Sequence, residues 1–183
     1  MRYSMRMVLA TGVTAVFLAP PLSSSLFFRN EIANAAVVSC HFSALIPKLG
    51  RSRSVSRTTY YSLEIVNKTA TSCTLRGTPI ARPGFLAYSR TPWVTVGPPA
   101  RSISFIGRGG KVVIEPGRIA SVEFGVTATA SYLFNRCVPR TVSGVQIHFT
   151  TIHPVLVLDY VLPKQLVCTA VASTSIMGIV IGP

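Results

Sequence analysis

Hydrophobic and polar residues alternate with a period of two along three stretches of the chain, which is typical of half-buried β-strands. The apolar positions are Tyr61, Leu63 and Ile65; Ala120, Val122, Phe124 and Val126; and Val145, Ile147 and Phe149. Each stretch predicts a strand with one face in the core and the other in solvent.

Shorter apolar segments predict further strands between turn-forming residues. These segments are Phe85–Tyr88, Trp93–Val96, Ile103–Ile106, Val112–Ile114, Val155–Leu162, Leu166–Val171 and Met177–Ile181. The predicted turns lie at Pro83-Gly84, at Gly97-Pro98-Pro99, at residues 107–110 and at Pro116-Gly117. Since no segment repeats its apolar residues every 3.6 positions, we predict an all-β sandwich with one domain at 36–183.

The N-terminal segment has the organisation of a secretory signal peptide. Arg2 and Arg6 precede an uncharged apolar stretch, and Ala33-Asn34-Ala35 has the small-x-small pattern that signal peptidase accepts. We therefore expect cleavage after Ala35, with residues 1–35 as the signal. An uncut anchor helix and a lipoprotein modified at Cys40 are the alternatives.

Four cysteines follow the predicted cleavage site, and an even number in an exported chain indicates two disulfides. We favour Cys40–Cys73 and Cys137–Cys168 among the three possible pairings, because each closes a local loop of about thirty residues. A zinc site is the rival interpretation, but the chain lacks the close Cys-x-x-Cys spacing of zinc ligands. We expect no metal and no cofactor.

Candidate catalytic residues are few, and their spacing matches no common enzyme motif. After residue 35 the acidic residues are Glu64, Glu115, Glu123 and Asp159, and the histidines are His41, His148 and His153. The glycine-rich run at 107–110 lacks the spacing of a phosphate-binding loop, and no Gly-x-Ser-x-Gly motif is present. Trp93, the single tryptophan, is expected to pack in the core, with a binding anchor as the alternative.

The charge is the most informative feature of the composition. The full chain has a formal net charge of +13, and residues 36–183 retain +11. Arg51, Arg53 and Arg57 lie in a polar stretch that we expect to be flexible, and guanidinium groups suit phosphate and carboxylate oxygens. The expected partners are anionic envelope lipids, wall polymers or another envelope protein. Nucleic acid is excluded because no aromatic residues interleave with these arginines and the compartment is wrong.

A family resemblance is carried by the run from Asn67 to Pro79, which contains Cys-Thr-Leu-x-Gly-x-Pro. Together with Cys40 upstream and Pro116-Gly117 and Cys137 downstream, this order resembles the family catalogued as domain of unknown function 4232. The resemblance covers about residues 40–150 and implies an immunoglobulin-like β-sandwich at the cell envelope of high-GC Gram-positive bacteria. It implies no activity and no catalytic residues. The chain departs from the family at Thr78, where an aromatic residue is common.

We expect the motif residues to be structural. They are Asn67, Thr74, Leu75, Gly77, Pro79, Pro116 and Gly117. Asn67 can cap a turn or adopt a left-handed conformation, Gly77 permits a positive φ, and Pro79 can protect a sheet edge. Pro116 and Gly117 fit the centre of a type II turn.

The sequence thus predicts a secreted or envelope-associated binding module that is not an enzyme, with a basic surface for anionic components. The first alternative is a structural or assembly protein that pairs through a strand edge. A hydrolase with an unrecognised site is the second.

Overall fold

The computed structural model describes residues 37–85, 93–103, 111–133, 135–149 and 155–182. The chain divides into two units, and every described residue belongs to the second, Ala35–Pro183. The predicted signal peptide therefore lies outside the described residues, as do the glycine-rich run at 107–110 and His153.

The described residues form thirteen β-strands and two short 3₁₀ helices, with no α-helix among them. The strands are β1 Val38–Ser39, β2 Leu45–Val55, β3 Thr58–Asn67, β4 Cys73–Leu75, β5 Pro79–Phe85, β6 Val94–Thr95, β7 Arg101–Ile103, β8 Val112–Ile114, β9 Ile119–Thr127, β10 Pro139–Phe149, β11 Leu156–Cys168, β12 Thr174–Met177 and β13 Val180–Ile181. The 3₁₀ helices span Phe42–Ala44 and Thr129–Ser131. A search of the described residues for a helix able to cross a membrane finds none.

Two larger sheets and one small sheet organise these strands. The six-stranded sheet has the order β2-β3-β9-β12-β7, with β13 also paired to β9. The four-stranded sheet has the order β11-β10-β5-β6, and the three-stranded sheet has the order β1-β4-β8. Pairing is antiparallel except between β1 and β4 and between β7 and β12.

The inner faces of the two larger sheets contribute to one buried core, which is the arrangement of a β-sandwich. The predicted apolar positions of β3, β9 and β10 all belong to this core. Tyr160 on β11 is buried, and its hydroxyl donates to the Glu64 carbonyl on β3 at 3.1 Å, which joins the two sheets. Burial, followed by the nearby charge of Glu64, raises the pKa of the Tyr160 phenol. The all-β prediction is confirmed.

Both predicted disulfides are present. Cys40 is bonded to Cys73 and Cys137 to Cys168, and among the described residues no cysteine is free. The first bond ties the start of β4 to the residue after β1, and the second ties Cys137, which precedes β10 by two residues, to the end of β11. Disulfides of this kind are typical of proteins outside the cytoplasm.

Three local predictions are wrong, and the first is the strand Met177–Ile181, because β12 ends at Met177 and β13 begins at Val180. Pro83 and Gly84 do not form a turn but lie within β5, where they pair with Val145 and Gly144 of β10. The two segments 155–162 and 166–171 are not separate strands, because β11 runs continuously from Leu156 to Cys168. The pairing of β11 with β10 shifts register between Val142 and Gly144. This shift leaves room for the extra residues of β11 around Pro163 without ending the strand.

Candidate functional site

The three predicted anion-binding arginines do not lie in a flexible stretch, which corrects the prediction. Arg51 and Arg53 belong to β2, and Arg57 is the second residue of the tight turn between Val55 and Thr58. Ser56, the first residue of that turn, has a φ of 53°, as the first position of type II′ hairpin turns requires. A strand can carry so many polar residues because β2 is an edge of its sheet.

A β-bulge decides which face of β2 carries the arginines. Leu49 pairs with Leu63 and Ser52 with Tyr61, so Gly50 and Arg51 together lie opposite Ser62. The extra residue reverses the alternation of the strand, since side chains point to opposite faces at successive positions. As a result Leu49 lies on the same face as its partner Leu63 but stays exposed at the edge, and Arg53 lies on the outer face beside Tyr60.

Arg53 is held by residues of the same sheet. Its Nε and Nη2 donate to the two carboxylate oxygens of Glu123, each at 3.0 Å, and its guanidinium lies 4.6 Å from the centre of the Tyr60 ring. The hydrogen bond and the negative charge of Glu123 raise the pKa of Arg53 above its usual value. Arg53 therefore stabilises the outer face and is not free to bind an anion, contrary to the prediction.

Arg51 and Arg57 remain available. Both are exposed, and neither forms a side-chain hydrogen bond or ion pair with another described residue. Arg51 lies in the bulge and lines none of the described cavities. Arg57, in contrast, lines a cavity of about 370 Å³. The structure thus separates the three predicted residues, and among the described cavities Arg57 is the one of them that lines a concave site.

The cavity beside Arg57 is named the Arg57–Lys164 pocket after its two cationic side chains. It lies between the ends of the two larger sheets, where the β2–β3 turn approaches the irregular part of β11. Its lining comprises Arg57, Thr59, Val126, Ala128, Thr129, Ala130, Lys164, Gln165 and Leu166. A main-chain bond from Ala128 N to Arg57 O, of 2.8 Å, holds the turn against the residues that follow β9.

The chemistry of this pocket favours an anion. Its lining combines a guanidinium, an ammonium and the hydroxyls of Thr59 and Thr129, and it includes no carboxylate and no histidine. The Thr59 hydroxyl lies 3.2 Å from that of Ser54, which fixes its position on β3. Arginine and lysine close together without an acidic partner repel each other, so a bound phosphate or carboxylate would relieve the repulsion.

Sequence analysis missed Lys164. It follows Leu162 and Pro163, where the register between β10 and β11 shifts, so its side chain is exposed at the end of the sandwich. Pro163 interrupts the apolar sequence between two segments, and this interruption is the sequence feature that could have drawn attention to Lys164. Its proximity to Arg57, however, depends on how the two sheets pack, and strand patterns do not reveal that.

Asn67 has a structural role that the sequence predicted only in part. It is fully buried, its Nδ2 donates to Thr71 O at 2.8 Å and to Ile114 O at 2.9 Å, and its Oδ1 accepts from Thr69 N and Thr69 Oγ1. The bond from Thr69 N is that of a turn capped by an asparagine side chain. The left-handed alternative is wrong, because Ser56 alone has a positive φ among the described residues other than glycine.

The remaining motif residues surround this network. Thr74 and Leu75 are buried in β4, and the backbone carbonyl of Thr74 accepts from Cys40 N at 3.0 Å. Gly77 has the expected positive φ, at 96°. Pro79 opens β5 and pairs with Phe149 of β10, whereas β6 pairs with β5 at Gly84 and Phe85, so the edge-protecting role of Pro79 stays a prediction. Pro79 stands at the first residue of a strand, where a missing donor is tolerated.

The turn at Pro116-Gly117 has the predicted form. Arg118 N donates to Glu115 O at 3.0 Å and Gly117 has a φ of 70°, which together define a type II turn. Gly117 N also donates to Asn67 O at 2.8 Å, so this turn is bonded to the strand end that Asn67 caps.

Several acidic residues and histidines of the described residues take part in local contacts. No group of three or more metal-ligating side chains occurs in the described part of the chain. His41 accepts from Ser43 N at the first 3₁₀ helix, and on β10 His148 Nε2 lies 2.9 Å from Gln146 Oε1. Glu123 is paired with Arg53, and Glu115 lies 3.8 Å from Arg118.

The edge of β2 that pairs with no strand among the described residues is relevant to the alternative of an assembly protein. It presents eleven residues, and Ile46, Leu49 and Val55 are large hydrophobic residues exposed on it. The same strand contains Pro47 and the bulge at Gly50–Arg51, which are features that hinder pairing with another chain. The edge therefore gives the assembly alternative little support.

Comparisons of the chain with models of known protein families, with curated proteins and with solved structures give no match. The resemblance stated above accordingly stays a prediction, and a function has to be argued from the geometry of the chain itself.

Proposed function

We propose that the protein is an exported, non-enzymatic cell-envelope module that binds the phosphate groups of anionic envelope components through the Arg57–Lys164 pocket. The observation that carries the proposal is the convergence of two cations from different sheets on one cavity that no carboxylate lines. Guanidinium and ammonium groups are the side chains that most often hold phosphate oxygens.

Export is supported by two independent features. The first 35 residues have the charge and hydrophobicity of a signal peptide, and both disulfides of the described domain are formed. The sandwich architecture also suits the immunoglobulin-like domain that the resemblance implies, although assigning that subtype is part of the proposal.

The net charge supports an anionic partner at longer range. Residues 36–183 carry +11, and two of their four acidic residues are paired with arginines of the same domain. A cationic surface raises the rate of encounter with anionic membranes and polymers, and this attraction weakens as salt screens it. The pocket then supplies the specific contacts.

A vesicle flotation assay tests the proposal. The domain 36–183 is mixed with vesicles of phosphatidylglycerol in phosphatidylcholine and with pure phosphatidylcholine vesicles. We expect binding to the anionic vesicles alone, and the double variant Arg57→Ala/Lys164→Ala should reduce the apparent affinity at least about tenfold, the effect of losing charge-assisted hydrogen bonds. A soluble polyphosphate added as competitor distinguishes recognition of phosphate in general from recognition of a lipid surface.

The matched control is Arg118→Ala/Lys68→Ala. It removes the same two residue types and the same net charge at the opposite end of β3 and β9, where Lys68 follows Asn67 and Arg118 precedes Ile119. If both double variants weaken binding equally, the attraction comes from overall charge and the pocket has no special role. If neither the vesicles nor polyphosphate bind the unmodified domain, the proposal is wrong.

A further inference from the structure

A second group of polar side chains lies on the outer face of the four-stranded sheet, away from the Arg57–Lys164 pocket. Pairing places Arg82 of β5, Gln146 of β10 and Asp159 of β11 side by side in one row across three strands. The neighbouring row contains Gly84, Gly144 and Val161, and the row on the other side contains His148. We call Trp93, Arg82, Gln146, His148 and Asp159 the Trp93 face.

Trp93 rests on two glycines of this sheet and does not belong to the buried core. A Cβ atom at Gly84 would lie 2.7 Å from Trp93 Nε1 and Cε2, and one at Gly144 would lie 3.0 Å from Cη2. The long edge of the indole thus crosses β5 and β10 at Gly84 and Gly144. A side chain at either position would displace the indole. The expectation of core packing is wrong, because Trp93 is half-buried on the outer surface of the sandwich.

The glycine pair has a clear physical effect. Two glycines directly opposite each other weaken a sheet, since neither provides a side chain for cross-strand packing. Here they provide a flat place for an aromatic ring, and Trp93 Nε1 is buried there without an acceptor among the described residues. A large aromatic group held on the surface in this way is a feature of binding surfaces.

The polar row next to the indole is ordered and offers both donors and acceptors. His148 Nε2 lies 2.9 Å from Gln146 Oε1, and this bond leaves the amide NH₂ of Gln146 free to donate. Arg82 and Asp159 are exposed on either side of Gln146, and neither forms an ion pair with another described residue. Their opposite charges give the row no net charge.

We propose that the Trp93 face binds neutral oligosaccharides. A sugar ring presents an apolar C–H surface that packs on an indole, and its hydroxyls accept from Arg82 and Gln146 and donate to Asp159. The polar row extends across three strands beside the indole, and this extended surface suits a chain of sugars. The balanced charge of the row distinguishes this surface from the cationic Arg57–Lys164 pocket, so the inference does not depend on the proposed anion-binding function.

Fluorescence of Trp93 tests the inference directly, because the chain contains one tryptophan. The domain 36–183 is titrated with β-linked tetrasaccharides of glucose, mannose and N-acetylglucosamine. We expect at least one of them to change the emission, with a dissociation constant below about 1 mM and with little dependence on salt. If none of the three changes the emission in that range, the inference is wrong.

Two variants check the location. Gln146→Ala and Asp159→Ala should each weaken binding of the tetrasaccharide roughly tenfold, the effect of one lost hydrogen bond, with an unchanged circular dichroism spectrum. Gln165→Ala on β11 is the matched control and should leave the affinity unchanged, because Gln165 lines the other pocket. Equal losses in Gln146→Ala and Gln165→Ala would overturn the assignment to this face. Vesicle binding of the same variants reports separately on the anion-binding function.

Discussion

At the residue scale, single buried polar groups define the end of the sandwich opposite the Arg57–Lys164 pocket. Asn67 connects β3, the loop after it and β8 through four side-chain bonds. Replacing the amide would leave the Thr69 amide and the Ile114 carbonyl without this partner, and an unpaired buried group costs about 1–3 kcal/mol, more than the net gain of about 0.5–1.5 kcal/mol from one hydrogen bond. Asn67 is therefore expected to contribute to stability more than its apolar neighbours of similar size.

Replacing Asn67 with leucine should lower the free energy of unfolding by about 2–4 kcal/mol, because the Ile114 carbonyl and the Thr69 amide lose the Asn67 side chain as partner, and the Thr71 carbonyl keeps Thr69 Oγ1 alone of its two side-chain donors. Urea denaturation followed by circular dichroism measures this change. Lys68→Ala, next in the chain but exposed, is the control and should change the stability by less than about 0.5 kcal/mol. Equal losses of stability in Asn67→Leu and Lys68→Ala would show that the hydrogen bonds of Asn67 do not contribute to stability.

His148 gives the domain a pH-dependent stability. Burial lowers its pKa, Arg82 lowers it further, and Asp159 acts in the opposite direction. Since the unfolded chain then takes up the proton at a higher pH than the folded domain, protonation favours unfolding. Stability contributed by this residue is complete above about pH 6.5 and falls as the pH drops towards the lowered value.

The expected result is that the melting temperature falls between pH 7.5 and pH 5.5, and that His148→Asn shows a smaller fall. Differential scanning calorimetry at the two pH values measures it. His41→Asn serves as the control, because His41 is exposed beside the first 3₁₀ helix. A fall of the same size in the unmodified domain and in His148→Asn would contradict the assignment.

At the element scale, the sequence predicts a strand well where one face of the strand is buried and the other is exposed to solvent. Strands β3, β9 and β10 followed from alternation, and β8 was predicted with its observed ends. Strand β2 was missed because it is an edge strand with polar residues on both faces, and its bulge interrupts the alternation. The prediction of a turn at Pro83 and Gly84 failed because both residues pair with Val145 and Gly144 of β10, and such a long-range pairing is not visible in the local sequence.

The bulge in β2 is expected to hinder self-association through the edge of this strand. Deleting Arg51 should leave Leu49 opposite Leu63 and place Gly50 alone opposite Ser62, so that β2 becomes a regular edge strand. Regular exposed edges pair with other chains, and we expect this variant to form dimers or larger species at concentrations where the parent does not. Size-exclusion chromatography with light scattering measures the change. Arg51→Ala removes the same charge but retains the bulge, and it should behave like the parent; similar association of both variants would assign the effect to charge.

At the scale of the whole molecule, two surfaces with different chemistry lie on one disulfide-bonded sandwich. The pairing of the cysteines followed from their spacing, since each bond closes a local loop. Of the two cationic residues of the Arg57–Lys164 pocket, one could be predicted from the sequence. Arg57 was recognisable from its arginine-rich surroundings, but Lys164 joins it through the packing of two sheets whose strands are distant in sequence. Local patterns carry no information about such contacts.

The central claim is that anions bind in the Arg57–Lys164 pocket and not over the basic surface as a whole. The most direct measurement is a titration of the ¹⁵N-labelled domain with glycerol phosphate, followed by two-dimensional NMR. The account predicts saturable shifts at Arg57, Thr59, Thr129 and Lys164, with far smaller shifts at Lys68 and Arg118. Shifts of similar size at all exposed basic residues, or shifts concentrated around Arg51, would contradict it.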